Sequence, residues 1–223
     1  MAETVDLRAR LLAANEEAAA ELRTEFNSRG TLVLNLISSP GSGKTTLLEA
    51  TVRTLRDRYR LGAIEGDIAT ERDAERLRRL AVPAVQILTG GACHLDARQV
   101  RRAVADARFG DLDMLFVENV GNLICPTSYD LGEDFKAVLL SVTEGDDKPF
   151  KYPAIFARAE VALVTKIDLL PHVSFDLETV RTQVATLNPS GTLLQVSACT
   201  GEGVLEWCGL LEARLRAKRA AAG

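Results

Sequence analysis

The sequence predicts an α/β fold: a mostly parallel sheet of about seven strands, helices on both faces, and one helix ahead of the sheet. Three observations predict it. Short apolar runs recur along the chain without polar alternation, as strands covered on both faces do. Helical stretches lie between most of them, which is the pattern of a parallel sheet with crossover helices. A glycine-rich turn, Ser38–Thr46, follows the first run directly and opens a helix.

The elements follow in order. Residues 2–28 are rich in Ala, Leu, Glu and Arg, with apolar residues at Leu7, Leu11, Leu22 and Phe26, and read as one amphipathic helix ended by Gly30. The expected strands are 32–37, 61–64, 84–88, 114–117, 137–142, 161–164 and 193–196. The expected helices are 45–58, 71–79, 96–108, 177–187 and 204–219. Residues 111–113 and 133–136 read as connections. No repeat or linker divides the chain, so residues 1–29 form a leading helix and residues 30–223 one domain.

Bulk properties bound the function. With 223 residues and 47% hydrophobic content, a sizeable core can form. A formal net charge of −4 argues against a general nucleic-acid binder. No apolar run reaches membrane-spanning length. Four cysteines without a secretory signal predict reduced thiols and a cytoplasmic protein.

The turn Ser38–Thr46 reads Ser-Ser-Pro-Gly-Ser-Gly-Lys-Thr-Thr. Gly41 and Gly43 permit a tight turn whose N–H groups, with those of Ser42 and Thr46, face phosphate oxygens. Lys44 brings a cation to the β- and γ-phosphates, and the Thr45 hydroxyl is placed for Mg²⁺. The first position is Ser38 where the usual pattern has Gly. This motif predicts a P-loop and a bound nucleoside triphosphate.

In a parallel sheet, ligands sit beyond the carboxyl ends of the strands. Asp67 follows the second strand and suits a Mg²⁺ shell or the attacking water; its bland alternative is a helix cap. Glu118 ends the fourth strand as a second Mg²⁺ acid, and Gly121 follows as a γ-phosphate sensor in a switch loop. Thr165-Lys166-Ile167-Asp168 approximates the guanine pattern Asn-Lys-x-Asp. Its aspartate would accept from guanine N1–H and the 2-amino group, donors adenine lacks. Thr165 is shorter than the usual Asn. Ser197-Ala198 completes the guanine half-site. Lys44, Asp67 and Glu118 are the expected catalytic groups, and GTP is favoured over ATP. Neither a Gln nor an Arg is evident near the phosphates, so unassisted hydrolysis is expected to be slow.

Cys93 and His94 stand together after Thr89-Gly90-Gly91, and Cys125 follows the fourth strand. If the third and fourth strands are neighbours, all three lie on the nucleotide side of the sheet. A helix start near Asp96 is expected to lower the Cys93 thiol pKa. Sulfur and imidazole ligands suit Zn²⁺ or Ni²⁺. One chain offers three ligands where a closed tetrahedral site needs four, so a site bridging a two-fold dimer is natural. The bland alternative is a small turn residue beside a satisfied histidine. Cys199 and Cys208 read as packed thiols and His172 as a surface residue.

These stretches, with Glu65-Gly66-Asp67, Cys93–Ala97, Val117–Leu123, Leu131–Glu133, Ser141–Pro153, Lys166–Leu170 and Gly201–Gly203, resemble HypB, the GTPase family that helps deliver nickel to [NiFe]-hydrogenase. The resemblance covers most of 32–207. It implies a SIMIBI-type G domain, GTP/GDP with Mg²⁺, and a nucleotide-dependent homodimer holding Zn²⁺ or Ni²⁺ at Cys93, His94 and Cys125. It also implies a HypA-like zinc metallochaperone and the hydrogenase large subunit as partners, with no nucleic acid or membrane. The similar UreG family, which serves urease, has Cys-Pro-His where this chain has Cys93-His94. The N-terminal Cys-x-x-Cys-Gly-Cys site or histidine-rich tract of many HypB members has no counterpart in this sequence, whose first cysteine is Cys93. The rival readings are a UreG-like GTPase, a P-loop small-molecule kinase, and a metal-binding module with structural nucleotide.

Overall fold

The computed structural model describes residues 2–67 and 72–222, the backbone alone at 2–8, 72 and 222. Seven strands form one sheet, all pairs parallel: β1 (Leu32–Ser38), β2 (Leu61–Asp67), β3 (Ala84–Leu88), β4 (Met114–Glu118), β5 (Phe135–Ser141), β6 (Val161–Thr165) and β7 (Thr192–Val196). The helices are α1 (Ala2–Arg29), α2 (Lys44–Leu55), α3 (Arg72–Arg78), α4 (Ala97–Val104), the short α5 (Lys148–Lys151) and α6 (Pro153–Arg158), α7 (Leu177–Leu187) and α8 (Val204–Ala222). The predicted start of α3 at Glu71 lies outside the described residues. The fifth strand begins two residues before its predicted start, because Asp134 accepts the Val33 N–H at 2.7 Å and sets the register there.

The strand order is β3-β2-β4-β1-β5-β6-β7. The third and fourth strands are therefore not neighbours: β2 lies between them, pairing Glu65 with Glu118 in register. Alternate residues of each strand feed opposite faces. Leu34, Leu36, Ala63, Phe116 and Leu139 pack under α2, α3 and α8. Val33, Ile64, Leu115 and Val117 pack under α1 and α4, and Val138, Leu140 and Val164 under α6 and α7. Both faces are apolar, which explains the unbroken strand runs. No described helix is long and apolar enough to cross a membrane.

The leading helix differs from its expected pattern. Ala18, Ala19, Leu22 and Phe26 are buried with Asn15, whereas Leu11 is 46% exposed. The side chain of Leu7 lies outside the described residues. Small alanines let α1 approach α4 and the turn at Gly132 closely. A Cβ at Gly132 (φ 79°) would stand 2.7 Å from Leu22 Cβ and 2.9 Å from the Ala19 carbonyl oxygen.

Candidate functional site

The carboxyl ends of β1, β2 and β4 and the start of α2 enclose a cleft of about 540 Å³. Gly41, Gly43, Lys44, Thr45, Thr46, Asp67, Glu118, Gly121 and Lys166 line it, all predicted from sequence. Gly41 and Gly43 are left-handed (φ 77° and 94°), a conformation that glycine adopts without Cβ strain. A Cβ at Gly121 would meet the Pro40 backbone at 3.0 Å, so the loop after β4 rests directly on the glycine-rich turn. Ser42 is buried beneath that turn, its hydroxyl donating to the Ser39 carbonyl at 2.5 Å.

Lys44 is 8% exposed, and its ammonium donates to the Ser38 hydroxyl at 2.9 Å and stands 3.9 Å from Glu118. The irregular first position of the motif thus supplies the resting partner of its cation. Thr45 donates to Glu118 Oε1 at 3.0 Å. Burial pushes the Glu118 carboxyl up, opposed by the Lys44 charge. Its register partner Glu65 is pushed well up, first by burial and then by the Glu118 charge. Glu118 Oε2 and Glu65 Oε1 are buried without a hydrogen-bond partner. The orphaned oxygen of Glu118, on the carboxylate that accepts from the Thr45 hydroxyl, fits a hard divalent cation such as Mg²⁺.

Three cleft features escaped sequence reasoning. Asp73 and Arg76 of α3 line the cleft, against the expectation that no arginine stands near it. Arg76 donates to Glu49 at 3.1 Å and to the Thr46 hydroxyl at 3.3 Å. Glu65 lies behind the lining, buried on β2 and in register with Glu118. Glu65 alone had a signal, a carboxylate inside an otherwise apolar strand, because an unpaired buried charge demands a partner.

The guanine half-motifs gather at the ends of β6 and β7; Lys166 reaches the lining of the cleft, while Thr165, Asp168, Ser197 and Ala198 lie beside it. Thr165, although shorter than Asn, donates to the Ser42 carbonyl at 2.7 Å. Lys166 is left-handed (φ 59°), and its ammonium reaches the Gly41 carbonyl at 2.7 Å, lying over the glycine-rich turn. Asp168 accepts from the Ser197 hydroxyl at 2.6 Å, and Ala198 follows half-buried. A Cβ at Gly203 (φ 71°) would overlap the Gln195 carbonyl oxygen at 1.9 Å, which fixes glycine in this turn.

The thiol and imidazole groups also converge. One ligand atom each from Cys93, His94 and Cys125 lies within 4.8 Å of the others, with all three residues half-buried. They meet by reaching across the end of β2, since β3 and β4 flank it. Burial lowers the His94 pKa, favouring the neutral ring a metal binds. The Cys93 thiol is pushed up, first by its hydrogen bond with Cys125 and then by burial, so the expected lowering does not occur. The α4 start does not serve Cys93, because Asp96 accepts from Gln99 and Asn15 from Ala97. His94 stacks on Tyr129 with ring centroids 3.8 Å apart. Cys208 is buried, its pKa pushed up to about 11 by that burial. Cys199 is exposed instead of packed, and His172 is exposed as expected.

Leu95 ties the two sites together. Its N–H donates to Asn119 Oδ1 at 3.1 Å, the residue directly after Glu118. Its side chain is fully buried against Gly66, between Glu65 and Asp67.

The parallel sheet, the glycine-rich turn and the left-handed Lys166 define a P-loop protein of the NTPase class. Residues 32–195 match the family description "CobW/HypB/UreG, nucleotide-binding domain". The hydrogenase maturation factor HypB of Azotobacter chroococcum is 49% identical over 218 residues, 96% of this chain and 72% of that protein. The crystal structure of HypB from Helicobacter pylori in complex with nickel has a TM-score of 0.86 at 39% identity, covering 91% of this chain and 95% of that one. HypB from Archaeoglobus fulgidus gives 0.85 at 37% identity, covering 91% and 99%. The chain belongs to the HypB hydrogenase maturation factors of the CobW/HypB/UreG family.

Proposed function

We propose that this chain is a GTP-binding, slowly GTP-hydrolysing metallochaperone that couples nucleotide state to nickel delivery during [NiFe]-hydrogenase maturation. In this reading residues 30–223 are the GTPase domain, preceded by the helix of residues 1–29. Lys44 and the Gly41–Thr46 amides hold the phosphates, and Thr45, Glu118 and Asp67 hold Mg²⁺, which neutralises developing charge. Asp67 or a group brought by dimerisation positions water. Gly121 senses the γ-phosphate. Asp168, Thr165, Lys166, Ser197 and Ala198 form the guanine site. Cys93, His94 and Cys125 carry Ni²⁺ or Zn²⁺ at a two-fold dimer interface, where a second copy completes the ligand set. The docking partners are a HypA-like zinc protein and the hydrogenase large subunit. The nickel complex of the Helicobacter pylori relative supports nickel as cargo.

Leu95 carries the coupling argument. A shift of Asn119 on loss of the γ-phosphate pulls the Leu95 N–H, one residue from His94, and a shift at Gly66–Asp67 moves the Leu95 side chain. The two ligands must then change each other's affinity by one factor, on the order of 5- to 150-fold. Nickel titrations of the protein loaded with GDP and with a non-hydrolysable GTP analogue measure that factor. Equal nickel affinities in the two states would refute the coupling.

A further inference from the structure

We infer that the N-terminal helix is a working part of the metal site, with Asn15 as a positioning residue that sets the separation of its two arms. The inference rests on the metal reading above. One arm is Cys93–Ala97, running into α4. The other is Cys125–Asp130, a 3₁₀ turn and the two residues after it.

Asn15 is far in sequence from both arms and only 3% exposed. Its Oδ1 accepts the Ala97 N–H at 2.9 Å, and its Nδ2 donates to the Asp130 carbonyl at 2.8 Å. A carboxamide presents acceptor and donor on one rigid plane, so a single side chain clasps both arms. The Ala97 N–H is an orphan donor of the first helical turn, and Asp96, the cap of α4, is occupied with Gln99.

The position itself is unusual. Asn15, Ala18, Ala19, Leu22 and Phe26 share the buried stripe of α1, and only Asn15 is polar. An amide among apolar neighbours costs stability unless both its polar atoms are paired, and here both are, one on each arm. Neighbouring contacts brace the same clasp. Arg23 donates to both Asp130 carboxylate oxygens at 2.6 Å, and Arg101 of α4 to Glu21 at 2.5 Å. The His94–Tyr129 stack joins the arms a second time.

The test uses the full chain with Asn15→Leu, which completes the apolar stripe, and Asn15→Asp, which keeps the acceptor and removes the donor. Nickel affinity is read by chelator competition, ligand geometry by the Ni²⁺–thiolate charge-transfer band, and the nucleotide site by fluorescent GDP. The expected result is ten- to a hundredfold weaker nickel binding, the usual cost of losing an outer-shell support. The charge-transfer band should shift, while GDP affinity measured without metal stays within about twofold, because the Asn15 amide bonds to Ala97 and Asp130, neither of which lines the cleft. Folded Asn15→Leu with the parent affinity and spectrum overturns the inference. Cys93→Ser separates the two readings. If it loses nickel while the Asn15 variants do not, the clasp alone fails; if it keeps nickel, the metal reading fails and takes the clasp with it. Should neither Asn15 variant fold, the half-exposed Arg23→Ala probes the same arm. It should weaken nickel at least about threefold, a small outer-shell effect, and no change there overturns the clasp.

Discussion

Replacing Gly66 with alanine places one methyl group at the contact between the two sites. The new Cβ would stand 2.9 Å from both Leu95 Cδ1 and Cγ and 3.0 Å from Cδ2. Ordinary carbon contacts are about 3.5–4.0 Å, so Leu95 must retreat by roughly 0.5–1 Å. Leu95 is fully buried, so the retreat displaces core neighbours, and overpacking of this kind costs about 1–3 kcal/mol. For a chain of this length that is a loss of roughly 2–12 °C in melting temperature. His94 moves with Leu95, and nickel affinity should fall about tenfold as outer-shell support is lost. A double-mutant cycle with Leu95→Ala isolates the contact. Leu95→Ala alone leaves a cavity and costs about 2–5 kcal/mol, but in the double variant the methyl introduced by Gly66→Ala fills part of that cavity. The pair should be less destabilised than the sum by more than about 0.5 kcal/mol. Urea unfolding of the four proteins measures this, with nickel competition alongside. Additive losses and unchanged nickel affinity would refute the role given to Leu95.

Two further outcomes are expected. Asp168→Asn removes the carboxylate acceptor at the guanine half-site and should weaken GTP about ten- to a hundredfold, the worth of a charge-assisted hydrogen bond, with ATP binding unchanged; equal losses for both nucleotides in filter binding would count against a base-reading role. Asp113 is partly buried, but hydrogen bonds from Arg60 and Arg219 outweigh that burial and lower its pKa to about 2. Because the folded value lies below the unfolded one, near 3.9, the stabilisation is complete above about pH 4 and disappears as pH falls through 2. Asp113→Asn should therefore lose about 1–2 kcal/mol at pH 7, after allowance for screening at the exposed Arg60, and match the parent protein at pH 2; urea midpoints across pH 2–7 test this.

What the sequence made legible was local. The glycine-rich turn, the acid ending β4 and the Thr165–Asp168 loop are each fixed by a few adjacent residues, and each stands at the end of its strand. The wider site depends on strand order. Placing β2 between β3 and β4 brings Glu65 against Glu118 and carries Asp73 and Arg76 to the cleft, and no periodicity encodes that order. The same insertion explains why the Cys93 thiol is raised: Cys125 arrives across β2, a contact invisible to residues 93–96. Leu11 fits the helical period yet faces solvent, because α1 contacts the body through Asn15 to Phe26.

The triad's span across β2 also orders events during folding. Cys93 and His94 alone offer two ligands, and Cys125 lies 32 residues further along the chain. Closing that loop in a disordered chain costs about 3 kcal/mol by chain statistics, before any cost of orienting the donors. With β3, β2 and β4 in register the three donors already converge, and the closure is complete before an ion arrives. Under the proposed metal reading, a newly made chain gains its full-affinity site only after its central strands have paired, and captures an ion as finished protein in preference to a nascent one.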